Sequence, residues 1–513
     1  MKRLFVFYLL TIGAIVVNAQ TYELNIDAQV LKNYAIFKKG SKVHIQSMTH
    51  EVTFSEASSG GIMGSSGPRI LDSYTLNTDA GSVNVKDKLE KVLEVNYSDA
   101  QSFWDAQIIF NVLEQLSKRG TQQELRAEIE EEVLEYINWL QIKGSTFNDP
   151  YLESYIYGLI SKIAPSILID GRPGNINLLI VRDPVANACM FLNGTLIIST
   201  GLISLLHSED ELAAILAHEI AHFVLDHSIQ NYNKMQSKMK RAEFWAGVST
   251  ALAGVAEGAV AINNPYYTPG GATIAVAAAS SQIALEVCKR FGMQYNRNQE
   301  SEADDMATEL MKVLKYDPNA LSTALSRIEE ALKKERSVEM YFASDHPALV
   351  DRIKKAGTPS LKKDVNFEKI ISFAVSDAAT IKIMDRRFRQ ALPLVSQNIN
   401  NNVATVDDYI QKANCLLYLR NDANTFTEIG SLINEAKKMS IDNINLYKTE
   451  ILYYLRQKKY KEALSLLTSY KQKLSDMTKN RNILPEELWL YTYRYANSEL
   501  IWANNMSDKL RSF

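Results

Sequence analysis

Residues 209–222, EDELAAILAHEIAH, restrict the fold and chemistry of this chain more than any other stretch. The segment opens with a helix-start signal, because Ser208 is a good capping residue and Glu211 lies three residues later, as in a capping box. Alanine and leucine fill the turns that follow and favour a helix. The sequence therefore predicts a helix that carries the pattern H-E-x-x-H in its second half.

The pattern consists of His218, Glu219 and His222. On a helix the two histidines project from one face, one turn apart, which lets two imidazoles reach one metal ion. Glu219 then lies where it can take the proton of a water that the metal activates. The alternative is a pair of ordinary core histidines. The adjacent glutamate and the small number of histidines in the chain, seven, favour the metal site.

The N-terminal residues are typical of a secretory signal peptide. Lys2 and Arg3 supply the positive charge, residues 4–17 are apolar, and residues 17–19 fit a small-residue cleavage site. We therefore expect a signal peptide over residues 1–19 and an exported protein, periplasmic or associated with the cell envelope. An uncleaved anchor helix is the alternative. Cleavage is favoured, because the apolar run is short for a membrane span.

Length and composition restrict the remaining possibilities. A chain of 513 residues is long enough for several domains. Its formal net charge of −3 gives no sign of a general polyanion-binding surface, so nucleic acid is not an expected partner. Three widely separated cysteines do not make a disulfide framework.

Residues 20–84 show strand-like alternation broken by glycine and serine, which predicts a small β-rich module. His44 and His50 lie in one predicted strand of this module, so a second metal site is an open alternative to ordinary structural histidines. Residues 85–147 change to a helical period, with helices predicted over residues 86–96 and 126–141.

A third block covers residues 148–204. It predicts a helix near residues 151–164, a strand over residues 176–183, and a hairpin whose turn is Asn193-Gly194. A strand just before the H-E-x-x-H helix could offer a free edge to an extended peptide. The alternative is an ordinary strand with a covered edge.

Two apolar stretches rich in alanine and glycine follow the helix, at residues 244–262 and 270–287. Membrane association through residues 244–287 is one interpretation. A protein-packed helical hairpin is favoured, because Ala and Gly contribute weakly to insertion and Glu257 interrupts the first stretch.

A further segment with candidate metal ligands is residues 296–314, NRNQESEADDMATELMKVL. Its composition predicts a helix. A catalytic zinc ion usually has three protein ligands, and the two histidines supply only two of them. A carboxylate from another helix would complete a site of the His₂Glu type. A further carboxylate one turn away is suited to accept the second ring N–H of a ligand histidine. Residue chemistry alone leaves four candidates for the third ligand, namely Glu300, Glu302, Asp304 and Asp305.

Together these blocks resemble peptidase family M48, a family of zinc metallopeptidases, over residues 149–357. The resemblance lies in five motifs, namely Asn187-Ala188, Gly201-Leu202, residues 209–222, NRNQESEAD at residues 296–304 and DHPALVDRI at residues 345–353. It implies that Glu300 is the third zinc ligand and that Asp304 is its partner. It also implies that His346 approaches the active site, either to stabilise the transition state or to occupy the open metal position. The third histidine of the metzincin motif is absent, so His227 is interpreted as a helix-end residue.

The resemblance, with the patterns above, implies an α+β fold. It consists of a mainly helical metallopeptidase core with a small sheet over residues 148–357, preceded by the β-rich module and followed by helices over residues 358–513. In this last part LYLR at residues 417–420 recurs as YYLR at residues 453–456, and residues 457–467 are typical of a tetratricopeptide helix. Such repeats would offer a docking surface for a protein partner. A helical cap without a ligand is the alternative.

The resulting hypothesis is an exported zinc endopeptidase with one Zn²⁺ per chain. It would hydrolyse extended or misfolded polypeptides in envelope quality control, with Glu219 as general base. The main rival is a chaperone-like assembly factor that acts through its helical repeats while the peptidase centre is largely silent. A membrane-embedded protease is a third alternative if residues 244–287 enter a bilayer.

Overall fold

A computed structural model describes most of the chain. The described residues are 16–34, 36–54, 69–78, 81–85, 89, 92–107, 122–142, 145–165, 176–235, 291, 293–334, 349–360, 363–479 and 486–511. The strands are β1 Val16–Val30, β2 Lys42–Phe54, β3 Arg69–Thr78, β4 Gly81–Val85, β5 Leu93–Asn96, β6 Asn177–Val181, β7 Ala188–Met190 and β8 Thr195–Ser199.

Helices make up most of the rest. They are α1 Ala100–Gln107, α2 Gln122–Ile142, α3 Pro150–Ile163, α4 Thr200–Ile203, α5 Glu209–Val224, α6 His227–Met235, α7 Arg297–Val313, α8 Ala320–Lys334, α9 Leu349–Ala356, α10 Val365–Ile370, α11 Ser372–Met384, α12 Phe388–Asn400, α13 Val406–Leu419, α14 Ala423–Met439, α15 Ile444–Arg456, α16 Tyr460–Lys479 and α17 Glu486–Arg511. The predicted α+β class is confirmed.

The N-terminal sheet is antiparallel, in the order β4-β3-β2-β1-β5. Strand β1 begins at Val16, inside the segment predicted as a signal peptide, and pairs there with the end of β2. Cleavage after residue 19 stays a prediction.

The helix predicted over residues 86–96 is wrong in its second half, where the chain forms β5. Leu89, Val92 and Leu93 are buried, and their spacing is the one that a helix face would show. Val95 instead pairs with Ala28 on β1. Pairing with the edge strand of the sheet therefore determines the structure of this segment, although its local periodicity is helical. The β-rich part therefore extends beyond the predicted boundary at residue 84.

The N-terminal sheet and the helices around α5 share one hydrophobic core. Ile26 and Ile45 of the sheet belong to the same buried cluster as Leu212 and Ile220 of α5. Helix α1 joins the two parts, because Trp104 donates its indole N–H to the carbonyl of Ile163 at 2.6 Å. Burial of such large apolar side chains is the main stabilising contribution at this contact.

A second sheet precedes α5 in the order β6-β8-β7. The predicted hairpin is confirmed, since β7 and β8 are antiparallel and Gly194 has a φ of 79°, a conformation that glycine readily adopts in a turn. Strand β8, the one nearest α5 in sequence, is central and paired on both sides. The edge strands are β7 and β6, and Thr146 bridges to the end of β6.

Helices α10–α17 follow the core and pack against their neighbours in sequence, with α11 also against α4. Two apolar clusters fill this region, one around Leu416 and Ile429 and one around Leu467 and Tyr470. The two repeated segments, LYLR and YYLR, fall at the ends of α13 and α15. The assignment of these helices as tetratricopeptide repeats stays a prediction.

Residues 244–287 lie outside the described residues, so the structure does not bear on their two interpretations. In the part of the chain that is described, no helix combines the length and the apolar character that a bilayer span requires.

Candidate metal centre

The start of α5 is fixed by a set of polar contacts. Ser208 accepts the backbone N–H of Glu211 at 3.2 Å, as a helix cap does. The Glu211 carboxylate turns back to accept the N–H of His207 at 3.1 Å and also receives Arg327 Nε at 2.8 Å. The apolar side chains of Leu212, Leu216, Ile220 and Phe223 are buried. The helix is therefore held at its start and along one face.

Helix α7 brings the third side chain to the histidines of α5. The Nε2 atoms of His218 and His222 lie 3.1 Å apart. Glu300, in the first turn of α7, places one carboxylate oxygen 3.6 Å from His218 Nε2 and the other 3.4 Å from His222 Nε2. All three side chains are buried, and their ligand atoms lie within 4.8 Å of one another.

These distances fit one tetrahedral ion. Zinc bonds to histidine nitrogen and carboxylate oxygen are about 2.0–2.2 Å long, so ligand atoms around a tetrahedral zinc lie roughly 3.3 Å apart. The observed separations of 3.1, 3.4 and 3.6 Å bracket that value. A set of two imidazoles and one carboxylate is also a common zinc set, with a fourth position left for water.

His218 is oriented by Asp304, one turn beyond Glu300 on α7. Its Nδ1 atom lies 3.0 Å from Asp304 Oδ1. Burial would raise the pKa of Asp304, but hydrogen bonds from His218 and Arg352 outweigh it and hold the pKa at about 2. The carboxylate is therefore ionised and can only accept, so the hydrogen-bond pattern assigns the His218 proton to Nδ1 and leaves Nε2 as a metal-binding lone pair.

A second chain of hydrogen bonds orients His222. Its Nδ1 lies 2.8 Å from Nδ1 of His227, and His227 Nε2 lies 3.3 Å from the Glu302 carboxylate. Since Glu302 can only accept, His227 carries its proton on Nε2 and accepts from Nδ1 of His222. This assignment turns the Nε2 lone pair of His222 towards Glu300. Burial also lowers the pKa of His222 well below its ordinary value, which keeps the ring neutral.

The backbone between α5 and α6 places His227 at this position. Asp226 has a φ of 63°, a left-handed conformation that often ends a helix. The chain then turns into α6, of which His227 is the first residue. His227 thus begins α6 and is not the end residue of α5, which stops at Val224, and the structure adds a contact to His222 that the sequence did not show.

Tyr295 covers the other face of His222. The two rings stack with centroids 3.7 Å apart and planes inclined by 12°. The Tyr295 hydroxyl lies 3.0 Å from Ser228 Oγ, and its pKa is raised well above the ordinary value, first by burial and then by the charge of Glu219. Tyr295 therefore remains a neutral, fixed wall of the site.

Arg352 of α9 neutralises much of the negative charge. It donates Nε to Asp304 at 2.8 Å and Nη2 to the other oxygen of the same carboxylate at 2.7 Å, and Nη1 also contacts Glu300. Burial would lower the pKa of Arg352, but Glu300 and Asp304 raise it. The guanidinium is thus a permanent, bidentate partner inside the protein.

The charges at the centre match those of a divalent cation. Glu219, Glu300, Asp304 and Arg352 are each at most 4% exposed. At their ordinary charges at neutral pH, three carboxylates and one guanidinium leave two uncompensated negative charges beside two neutral imidazoles. Because buried net charge is costly, a divalent cation among the three ligand atoms would balance the cluster.

The structure thus brings together four of the predicted site residues, His218, His222, Glu300 and Asp304. The other two candidate carboxylates lie elsewhere: Glu302 contacts His227, and Asp305 pairs with Lys355 on the exposed side of α7. Among the described residues, no further group of three or more potential metal ligands is found.

The other histidines considered in the sequence are His346, His44 and His50. His346 lies outside the described residues, so its predicted approach to the metal stays a prediction. His44 of β2 contacts Asp27 of β1 through its Nδ1 atom at 2.8 Å. This contact is an ordinary cross-strand pair, and the structure does not describe the side chain of His50.

Sequence reasoning missed His227, Tyr295 and Arg352. Arg352 lies in the DHPALVDRI motif, so the motif could have indicated that Arg352 belongs to the site. Tyr295 and His227 have no pattern of their own, because their contacts depend on the angle between α5 and α6 and on the segment that enters α7.

Known proteins share the part of the chain that carries this site. Residues 150–360 match the sequence model of peptidase family M48. The mitochondrial metalloendopeptidase OMA1 of Schizosaccharomyces pombe is 28% identical over 222 residues, which cover 41% of this chain and 56% of that protein. A putative β-barrel assembly-enhancing protease of Vibrio cholerae is 25% identical over 319 residues, 60% of each chain.

A third relative is the metalloprotease LoiP of Escherichia coli, 27% identical over 184 residues, which cover 36% of this chain and 62% of that protein. The chain thus spans less than two thirds of the length of each of these relatives. The matched residues contain α5, Glu300, Asp304 and Arg352, the elements that build the metal centre. Over residues 150–360, which carry this site, the chain is thus similar to peptidase family M48.

Proposed function

We propose that this chain is a zinc-dependent endopeptidase whose metal ligands are His218, His222 and Glu300. The observation that carries the proposal is the buried group of three ligand atoms, which are spaced for one tetrahedral ion. Two uncompensated negative charges at the centre support a divalent metal. The similarity to proteins named as a metalloendopeptidase and a metalloprotease supports peptide hydrolysis.

A bound zinc ion would polarise a peptide carbonyl and lower the pKa of a water molecule. Glu219 follows the first ligand histidine and is buried beside the centre, with only 2% of its surface exposed. In the proposed mechanism its carboxylate takes the proton of the attacking water and passes it to the leaving amide nitrogen. The reaction breaks the C–N bond and leaves a carboxylate and an amine.

Three further side chains act through the ligands. Asp304 and His227 hold the two imidazoles in the tautomer that presents Nε2. Arg352 keeps Glu300 and Asp304 in place and offsets their repulsion. His346 is part of the proposal on its sequence motif alone, as a group that stabilises the oxyanion or occupies the open metal position.

We propose extended or misfolded polypeptides as substrates. The support is the three-stranded sheet before α5, in which β7 is an edge strand with β8 as its partner in the described residues. An extended peptide can add to such an edge through main-chain hydrogen bonds. Export, a role in envelope quality control and membrane association through residues 244–287 rest on the sequence alone and stay part of the proposal.

The test compares two glutamate-to-glutamine variants in the full chain. Glu219→Gln should retain the metal but lose hydrolysis of unfolded casein by about 10²–10⁴-fold, because the general base is removed. Glu309→Gln makes the same chemical change on the exposed side of α7 and should behave as wild type. Equal casein hydrolysis by Glu219→Gln and wild type would remove Glu219 from the mechanism.

A chaperone-like assembly factor is the second candidate. It is favoured by helices α12–α17, which pack in sequence and have apolar clusters of their own. The similarity to a protein named as an assembly-enhancing protease also supports it. This candidate predicts that Glu219→Gln still rescues a deletion strain, whereas the peptidase proposal predicts that rescue is lost.

A further inference from the structure

A cavity of about 1210 Å³ lies between the metallopeptidase core and the C-terminal helices. The core side is formed by His207, which precedes α5, and by Arg327 of α8. The other side is formed by α10, by the turn between α11 and α12, and by α12 itself, which contributes Phe388 and Leu394. The cavity is separate from the metal centre, since none of the proposed metal ligands lines it.

The wall of this cavity is strongly basic. Two carboxylates, Glu330 and Glu368, are outnumbered by six cationic side chains, an excess of four positive charges. The six are Arg327, Lys363, Lys382, Arg386, Arg387 and Arg389. The net charge of the whole chain is −3, so this local excess is not a general property of its surface. A concave wall with one sign of charge concentrates ligands of the opposite sign.

Two of the four arginines in this wall, Arg386 and Arg389, form no ion pair with the described residues. Arg327 is paired with Glu211, and Arg387 lies 3.7 Å from Asp385. Arg386 and Arg389 are both exposed, and among the described residues no carboxylate lies within ion-pair distance of either. Their guanidinium groups are therefore available to a ligand.

The backbone places these arginines at the mouth of the cavity. Arg386 has a φ of 58°, a left-handed conformation that is unfavourable for arginine, and it forms the turn between α11 and α12. Helix α12 then begins without an acidic residue in its first turn and without a side-chain cap. The positive end of the helix dipole thus adds to the charge of Arg386 and Arg389.

The rest of the wall suits a peptide better than a small inorganic anion. Four amide side chains, Gln390, Gln397, Asn400 and Asn401, line the cavity. Asn401 donates its Nδ2 to Glu368 at 2.8 Å, whereas Gln397 and Asn400 can pair with the N–H and C=O groups of an extended backbone. Phe388, Pro393 and Leu394 give it an apolar surface that a free phosphate would not use. A cavity of this volume is also larger than a single anion needs.

We propose that this cavity binds an acidic, extended segment of a polypeptide, with Arg386 and Arg389 contacting its carboxylates. The segment would alternate acidic residues, held by the arginines, with apolar residues, held by the Phe388 surface. Binding here does not require hydrolysis. If the segment belongs to a substrate, the cavity is an exosite, and that extension rests on the proposed peptidase function.

The cavity wall is also connected to the start of α5, the helix that carries His218 and His222. His207, immediately before the cap of α5, contacts Glu368 through its ring and accepts the N–H of Asp364 through its carbonyl. Arg327 of the cavity wall holds Glu211 in the first turn of α5. A ligand that pulls Arg327 away from Glu211, or that displaces Glu368 from His207, would therefore change the contacts at the start of α5.

The experiment measures peptide binding by the full chain with Glu219→Gln, so that bound peptide is not cleaved. The probe is a fluorescein-labelled peptide of alternating glutamate and leucine, followed by anisotropy at low salt. The test variant adds Arg386→Asn and Arg389→Gln, since asparagine tolerates the left-handed backbone at position 386. The control adds Lys459→Gln and Lys461→Gln, which remove the same charge from two exposed positions where α16 begins.

We expect saturable binding that weakens with added salt, a loss of affinity of about tenfold in the arginine variant, which equals about 1.4 kcal/mol, and no change in the lysine control. A peptide with lysine in place of glutamate should not bind. Equal affinity of the arginine variant and the control would overturn the proposal. So would binding of inorganic phosphate that depends on the two arginines without any binding of the acidic peptide. Neither result depends on peptidase activity.

Discussion

The Nδ1 atoms of His222 and His227 lie 2.8 Å apart, so one buried histidine holds another in the tautomer that a metal ion needs. Glu302 completes the relay at the surface, where its hydrogen bond with His227 lowers its own pKa. Each imidazole of the centre thus has an acceptor for its Nδ1 proton: Asp304 Oδ1 lies 3.0 Å from His218 Nδ1, and His227 Nδ1 lies 2.8 Å from His222 Nδ1. Such partners fix ring orientation and ligand basicity.

Replacing His227 should weaken metal binding without removing a ligand. In His227→Ala the Nδ1 proton of His222 has no acceptor, and we expect zinc affinity to fall about 10–100-fold. Competition with a chromophoric chelator measures this change. His44→Ala, a histidine in the N-terminal sheet, is the control and should bind zinc as tightly as wild type. Unchanged zinc affinity in His227→Ala would show that the relay has no role in binding.

Arg352 and Lys355 are three residues apart on α9 and give a matched comparison. Arg352→Gln leaves Glu300 and Asp304 buried without their partner, and we expect the free energy of unfolding to fall by about 3–5 kcal/mol. Lys355→Gln breaks an exposed pair with Asp305, which should cost less than about 1 kcal/mol. Urea unfolding of the metal-free proteins measures both. Similar losses in the two variants would contradict the assigned role of Arg352.

Gly201 of the Gly201-Leu202 motif allows the backbone of α4 to approach the backbone of residues 183–184 closely. A Cβ atom there would lie 2.6 Å from the carbonyl group of Pro184 and 2.7 Å from the Asp183 carbonyl oxygen, all of them backbone atoms. We expect Gly201→Ala to destabilise the protein by about 2–3 kcal/mol. Gly158→Ala, in α3 with no atom within 4 Å, should instead stabilise it by about 0.5–1 kcal/mol. Thermal unfolding distinguishes the two, and equal shifts of Tm would refute the close approach.

Asp183 should make stability depend on pH. Burial raises the pKa of its carboxyl to about 6 from an ordinary 3.8, although Val185 donates its N–H to it at 2.8 Å. Because the folded state holds the proton more tightly, this stabilisation is complete below about pH 4 and is lost as pH rises through 6. The shift corresponds to about 3 kcal/mol.

Asp183→Asn cannot ionise and keeps an acceptor for Val185. Relative to wild type, the free energy of unfolding of this variant should therefore rise between pH 4 and pH 7. Urea unfolding across that range measures the difference. A constant difference would show that Asp183 is ionised in the folded protein over the whole range.

The sequence predicted the candidate metal ligands better than the side chains that contact them. His218 and His222 follow from a four-residue spacing on one helix, which local geometry alone specifies. Glu300 comes from another helix, and residue chemistry left it among four candidates. The family resemblance selected it, and the structure places it 3.4 Å from His222.

The residues that were missed depend on tertiary structure. His227 reaches His222 because Asp226 adopts a positive φ, and Arg352 reaches Asp304 only because α9 packs against α7. In the same way, residues 93–96 carried a helical pattern but formed β5 on the open edge of β1. Local periodicity contains no information about such partners.

The central claim is that His218, His222 and Glu300 hold one zinc ion. The most direct measurement is the metal content of the purified full chain, by elemental analysis, for wild type, Glu219→Gln and His222→Ala. The account predicts one zinc per chain in wild type and in Glu219→Gln, and a loss of nearly all zinc in His222→Ala. An equal zinc content in His222→Ala and wild type would contradict it.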